Sequence, residues 1–346
     1  MGMIVNGRNV ALDARDKSSD IGFVSHAHSD HTSGVSKGKD MLASKVTADL
    51  IELRKGVSAK CLPSMHATKL LSAGHILGSR QLFAESDEGY SFIYSGDYQM
   101  RESLVAEPIE TRSADVLIID STYPYRDVKF EDKSEAITSI QHYIDAKAGK
   151  GTVLFGAYAL GKAQELVKIA NEAGYTPAVS SRIGAINQVY ENNGVGLEYL
   201  SRKKDGEEFA SESGRSFVGV VEVGRLHETA QKISDQSGRR VFTAVATGFA
   251  RTYNMHVDVQ FELSDHADFS QAVEYIGQCS PKVIYTYGSK ESQRVFARNL
   301  SEEGYNAHPF FENYGQGCLD VRAKLHAGVG VKQANQRESS HTSSSV

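Results

Sequence analysis

Residues 21–31 read Ile21-Gly22-Phe23-Val24-Ser25-His26-Ala27-His28-Ser29-Asp30-His31. Ile21 to Ser25 reads as a buried strand that stops at four potential metal ligands, His26, His28, Asp30 and His31, within six residues. A strand that ends in a tight loop can aim alternate imidazoles, here His26 and His28, at one point. Asp30 and His31 then turn toward a second point nearby. Imidazole nitrogens with carboxylate oxygens, and no thiolate, suit zinc or a similar first-row ion acting as a Lewis acid. A lone histidine is usually a satisfied core or surface residue, but three beside an aspartate are not explained that way.

Two metals need further ligands, and two downstream residues offer them. His75 lies in Ser72-Ala73-Gly74-His75-Ile76-Leu77-Gly78-Ser79, between glycines that permit a tight approach to a metal. Asp97, in Tyr94-Ser95-Gly96-Asp97-Tyr98, follows a strand and a glycine, and a carboxylate with two oxygens can bridge two ions. Each alone reads as structural. Their placement after strands, downstream of the cluster, reverses that.

Farther out, short apolar runs alternate with helical patterns, which predicts an α/β protein. Phe92-Ile93-Tyr94 and Val116-Leu117-Ile118-Ile119 read as strands, with Asp97 shortly after the first and Asp120 directly after the second. In layered α/β proteins functional groups gather at such strand ends. Ser44 to Lys55 reads as a helix stopped by Gly56. A second series follows: strand 151–158, helix 161–173 with Gly174 as its stop, strand 240–246, helix 269–278, strand 282–287 and helix 290–300. Lys203 to Glu208 reads as a solvated turn, and the serine-rich stretch from about Val329 as a disordered tail.

The chain has 346 residues, enough for a sizeable core, and its 40% hydrophobic and 23% charged residues are ordinary for a globular protein. No apolar stretch approaches the length that crosses a bilayer, and the start lacks a signal-peptide core. Cys61, Cys279 and Cys318 form neither a zinc-knuckle spacing nor a disulfide framework, so a reducing cytoplasm is the expected home. The net charge of −5 argues against holding nucleic acid mainly by a broad basic face. It does not exclude a nucleic-acid enzyme, because bound metals add positive charge that the formal count omits.

The order His-x-His-x-Asp-His, a glycine-flanked His, then Ser-Gly-Asp resembles the metallo-β-lactamase superfamily. The resemblance implies that His26, His28 and His75 hold one metal, Asp30 and His31 the other, and that Asp97 bridges. Asp13, after the strand Val10-Ala11-Leu12, matches a residue that orients ligands. Ile119-Asp120-Ser121-Thr122-Tyr123 and Leu263-Ser264-Asp265-His266-Ala267-Asp268 resemble two signatures of the nucleic-acid-processing β-CASP group of that superfamily. The 135 residues from 124 to 258 carry 17 Lys and Arg against 17 Asp and Glu, and have the size of that group's inserted cap. The strings from Ala157 to Gln164 and Leu263 to Asp268 also look like ligase-associated DNA exonucleases.

The implied fold is an αββα sandwich with an inserted α/β cap: lactamase-like parts at 1–123 and 259–328, a cap at 124–258, and the tail at 329–346. The implied chemistry is zinc-dependent hydrolysis of phosphodiesters in single-stranded RNA or DNA by a hydroxide shared between two ions. His266 would protonate the leaving oxygen or bind the phosphate, with Asp120 orienting it. Ser264 and Tyr287 are candidate substrate contacts. Tyr287, in Val283-Ile284-Tyr285-Thr286-Tyr287-Gly288, stands where most of the group has a histidine, which implies a looser Asp30/His31 site and tilts toward DNA-repair members. The breadth of the group places RNA processing slightly ahead. A single-stranded DNA exonuclease, an inactive nucleic-acid scaffold and a small-molecule hydrolase are the alternatives, and assembly into a homo-oligomer is open.

Overall fold

The computed structural model describes residues 2–14, 19–37, 40–87, 89–201, 216–250, 252–315 and 318–319. The expected turn at Lys203 to Glu208 and the expected tail lie outside them. Five strands in sequence order form the first sheet: β1 (Gly2–Val5), β2 (Arg8–Leu12), β3 (Ile21–Phe23), β4 (Asp40–Leu42) and β5 (Lys60–Leu62). Between β4 and β5 runs helix α1 (Lys45–Lys55). The Ser44 hydroxyl accepts the Thr47 amide at its start, and Gly56, at φ 64°, closes its end by donating to the Glu52 carbonyl.

Next come β6 (Thr68–Ser72), β7 (Arg80–Glu85), β8 (Ser91–Tyr94) and β9 (Val116–Asp120). They join two later strands in a six-stranded second sheet. The intervening chain folds as α2 (Lys133–Ala148), β10 (Thr152–Ala157), α3 (Lys162–Glu172), β11 (Ala178–Val179), α4 (Ser181–Asn192), β12 (Leu200–Ser201), β13 (Val218–Glu222), α5 (Leu226–Ser237), β14 (Val241–Thr247) and β15 (Val259–Glu262). Its strands form a parallel sheet of their own, in the order β12-β11-β13-β10-β14-β15. The boundary expected at 258 therefore falls one residue before β15, which pairs with β14 in that sheet. After α6 (Phe269–Cys279), β16 (Val283–Tyr287) returns to pair with β9, and α7 (Lys290–Glu302) precedes β17 (Ala307–Pro309) at the sheet edge.

Strand β9 explains how the layers adhere. Its residues are apolar without a break until Asp120, so both faces bury. Val116 and Ile118 face a cluster with Leu12, Phe23, Leu42, Phe92, Tyr94 and Tyr285, shared by the first and second sheets. Leu117 and Ile119 face the opposite way, into a cluster with Tyr275 and Ile276 of α6 and Phe296 and Leu300 of α7. Leu50 and Ile51 of α1 join a third cluster that includes Phe155, Leu166 and Ile183 of the inserted segment. Ile118→Ala is expected to cost about 2–5 kcal/mol by opening a cavity between the sheets, read as a lower midpoint in urea.

Candidate metal centre

Strand ends deliver the site. After Phe23 the chain leaves β3 into the loop that carries His26, His28, Asp30 and His31. The parallel partners β9 and β16 end at one level, pairing Asp120 with Tyr287, and the Ser121 amide donates to the Tyr287 carbonyl at 2.8 Å. Asp97 follows β8 by three residues.

Four ligand atoms converge. His28 Nδ1 lies 3.0 Å from His26 Nε2 and 3.2 Å from His75 Nε2. Asp97 Oδ2 lies 3.5 Å from His26 Nε2 and 3.7 Å from His75 Nε2. A tetrahedral ion with bonds of about 2.0–2.1 Å spaces its ligand atoms about 3.3–3.4 Å apart, so this donor set fits zinc. The second ring nitrogen of each histidine is tied down: His26 Nδ1 to the Ser25 hydroxyl at 2.9 Å, His28 Nε2 to the Leu160 carbonyl at 3.1 Å, and His75 Nδ1 to the Asp265 carbonyl at 2.7 Å. A carbonyl only accepts, so His28 and His75 must donate there and present bare Nδ1 and Nε2 to the cluster. Burial lowers all three imidazole pKa values, that of His75 to about 3 with the charge of His266 adding to the effect. Neutral imidazole is the form that binds metal.

His31 belongs to a second grouping. Its Nε2 lies 3.3 Å from Asp97 Oδ1 and 3.6 Å from Asp30 Oδ2, while its Nδ1 meets Asp13 Oδ2 at 2.7 Å. Burial opposes charge on His31, but Asp97 and Asp13 outweigh it and raise its pKa. Asp13, at φ 47°, also accepts from the Ser25 amide and hydroxyl and from the Tyr94 hydroxyl. Asp30 is the loosest member, with 78% of its side chain exposed. Among the described residues, none of the groups of three or more such side chains whose ligand atoms all lie within 4.8 Å of one another includes Asp30 or His31.

Beside these stands His266. Its Nδ1 is 3.2 Å from Asp120 Oδ2 and its Nε2 3.9 Å from Asp97 Oδ2. Burial disfavours its charge, yet Asp97 and the bond to Asp120 lift its pKa to about 9. Asp120 is itself pushed upward by burial and by Asp97, and its other oxygen accepts the Thr122 amide and hydroxyl.

Of the sequence candidates, His28, Asp30, His31, Asp97, Asp120, His266 and Tyr287 line one cleft of about 750 Å³, with His26 and His75 buried behind it. The Tyr287 ring sits 6.3 Å from His31 and 5.5 Å from Tyr94, and burial raises its pKa to about 12. Ser264 is buried and outside the cleft lining, and its hydroxyl donates to the His266 carbonyl, accepts the His266 amide and also bonds the Tyr123 side chain. It shapes the turn that presents His266. The glycines around His75 also act differently. At Gly74 (φ 74°) a Cβ would lie 2.3 Å from the Gln99 carbonyl oxygen, and at Gly78 (φ 79°) 2.6 Å from Val46 Cβ, so close packing and positive φ demand them.

Sequence reasoning assigned no role to Asp265 or Lys162, although both lie in strings it singled out. Lys162, 2% exposed, has its Nζ 3.8 Å from Asp265 Oδ2 and 3.5 Å from Glu165 Oε2, and Glu165 meets Lys133 at 2.6 Å. Burial opposes charge on Asp265, but Lys162 and His75 hold its pKa well below the carboxylate range. Arg54 and Arg182 line the same cleft, Arg54 donating to Ala27 and Ser29 of the histidine loop.

No family model matches the chain. It is 30% identical over 306 residues to a probable DNA ligase of Opitutus terrae, covering 82% of this chain and 28% of that protein. It is 26% identical over 299 residues to the 5' exonuclease Apollo of Gallus gallus, covering 81% and 62%. An RNase J-like protein of Methanocaldococcus jannaschii is 31% identical over 187 residues, covering 45% and 44%. The chain thus spans less than two thirds of the length of each of these relatives. Among solved structures, a protein of unknown function from Enterococcus faecalis V583 shares the fold, with a TM-score of 0.55 at 12% identity, over 79% of this chain and 76% of that one.

Proposed function

Because the chain belongs to the β-CASP branch of the metallo-β-lactamase superfamily, we propose that it is a zinc-dependent nuclease that hydrolyses phosphodiester bonds in single-stranded nucleic acid. The observation that carries this reading is the convergence of His26 Nε2, His28 Nδ1, His75 Nε2 and Asp97 Oδ2 at 3.0–3.7 Å. The first two sheets with α1, α6 and α7 form the lactamase-like sandwich, and the parallel sheet of the inserted segment forms the cap. In this scheme His26, His28 and His75 would hold one ion and His31 with Asp30 the other, with Asp97 a ligand between the two groups. Bound in pairs, such ions supply Lewis acidity to the phosphate oxygens and lower the pKa of the attacking water. The chain's own residues do the rest. His266, fixed by Asp120 on one nitrogen, turns the other toward the scissile position, where it can protonate the departing sugar oxygen. The Leu160 carbonyl of the inserted segment holds His28, so the cap reaches the metal centre itself.

Single-stranded DNA is the favoured substrate. The relatives matched over four fifths of the chain are a probable DNA ligase and a 5' exonuclease, whereas the RNase J-like match covers 45% of it. Tyr287 supports the same choice. RNA is the second reading, carried by that shorter match. End-labelled single-stranded DNA and RNA incubated in parallel with zinc-loaded protein test both. Faster cleavage of DNA is expected. Faster cleavage of RNA reverses the sugar preference, and cleavage that survives a chelator overturns the metal mechanism. One-nucleotide ladders would mark an exonuclease.

Asp13→Asn probes the support of the second site. It leaves the shape but removes the charge that holds His31, and zinc affinity should fall about 10–100-fold, read by competition with a chromogenic chelator. Unchanged affinity would mean that Asp13 serves the fold alone.

A further inference from the structure

The cleft has a wall that metal chemistry does not use. From His266 a row of rings runs outward: Tyr123 at 6.1 Å and Phe249 at 4.9 Å from Tyr123, both in the cleft lining, then Tyr253 at 5.8 Å from Phe249, beyond that lining. Exposure rises along it, from 8% at Tyr123 to 38% at Phe249 and 61% at Tyr253. Tyr158, 68% exposed, offers another ring to the same cleft.

This row is built rather than incidental. Tyr123 is packed over Gly248, where a Cβ would lie 2.2 Å from its hydroxyl. The segment carrying Phe249 and Tyr253 is fixed by one side chain: Gln260 donates to the Ala250 carbonyl at 2.7 Å and the Tyr253 carbonyl at 2.8 Å, and accepts the Met255 amide at 2.5 Å. The Thr252 and Tyr253 amides close a turn onto the Phe249 carbonyl. Water-facing rings held this firmly cost little ordering entropy when a flat partner covers them.

We propose that Phe249 and Tyr253 form a stacking site for the nucleobases of a single strand, on the His266 side of the scissile phosphate. The reading rests on the nuclease function above and adds how the strand is gripped. Two cations of the cleft lie by the histidine loop: Arg54 is bonded to Ala27 and Ser29, beside Asp30 and His31, and Arg182 lines the cleft with it. Every base has a π face, so the grip tolerates sequence. A chain with a net charge of −5 gains affinity in this way without a broad basic face.

The test uses the zinc-loaded protein and phosphorothioate-linked DNA strands, which resist cleavage, with either normal or abasic sites next to the central linkage. Wild type should bind the normal strand about 10–100-fold more tightly than the abasic one. Phe249→Ala and Tyr253→Ala should each remove most of that difference, while Phe249→Trp should keep it. The kcat for bis(p-nitrophenyl) phosphate, read at saturation so that stacking of its own rings enters KM alone, should stay within about twofold of wild type in all three variants, showing that the centre is intact. Equal binding of normal and abasic strands by wild type, or alanine variants that retain the full difference, overturns the stacking site. Absence of turnover of the small ester by wild type bears against the nuclease reading alone, since the binding comparison does not depend on it.

Discussion

Asp97→Ala is expected to reduce bound zinc by at least one ion per chain, and to reduce phosphodiester hydrolysis at least about 100-fold, beyond what loss of a merely orienting residue costs. The expectation follows from position. Asp97 Oδ2 faces His26 and His75, its Oδ1 faces His31, and His266 lies 3.9 Å away, so one side chain touches every part of the site. Its own charge is set by those neighbours: burial opposes ionisation, but His31 and His266 hold its pKa well below the usual carboxylate range. Removal leaves the three neutral imidazoles short of a fourth ligand and strips His31 of one of its two carboxylate partners besides the exposed Asp30. Metal analysis after gel filtration reads the first effect and turnover the second. Asp97→Asn, which keeps the shape, separates loss of charge from loss of fold.

His266→Ala should lower kcat about 10²–10⁴-fold while leaving the zinc content unchanged, because the Nε2, Nδ1 and Oδ2 atoms of the first grouping do not depend on it. The leaving group discriminates its role. A DNA linkage expels a sugar alkoxide, a strong base that needs a proton, whereas a p-nitrophenyl ester of thymidine phosphate expels a stable phenolate that does not. Proton donation by His266 therefore predicts a large loss on DNA and a small one on the nitrophenyl ester. An equal loss on both would mean that His266 binds the phosphate instead. Asp120→Asn should follow the same pattern more weakly, because it acts through the imidazole that it orients.

How legible was this in the sequence? The run from His26 to His31 could be read because ligands must be side chains of a few types, and four of them lay within six residues. Asp120 and Tyr287 could be placed because β9 is an uninterrupted apolar run and β16 a run of β-branched and aromatic residues, and the ends of both are plain. What the sequence hid is mostly backbone. The carbonyls of Leu160 and Asp265 set the tautomers of His28 and His75, and any residue carries a carbonyl, so no residue type marks the position. Lys162 and Asp265 look like ordinary surface charges until the inserted segment folds onto the site and buries the lysine. Ser264, two residues from a site histidine, closes its own turn with its hydroxyl, a backbone role that the residue type does not announce. β15 was missed at the boundary because Val259-Gln260-Phe261-Glu262 is half exposed and lacks a buried strand's apolar run.

The same convergence sets the most direct test. Purified protein can be dialysed against chelator, reloaded with zinc, and assayed for metal by mass spectrometry and for cleavage of a single-stranded oligonucleotide at each step. The apo-protein should be inactive, activity should return as zinc is restored, and the tighter of two binding steps should disappear in His26→Ala. Apo-protein that cleaves as fast as the reloaded form, or a His26→Ala variant that keeps both binding steps, would contradict the metal mechanism.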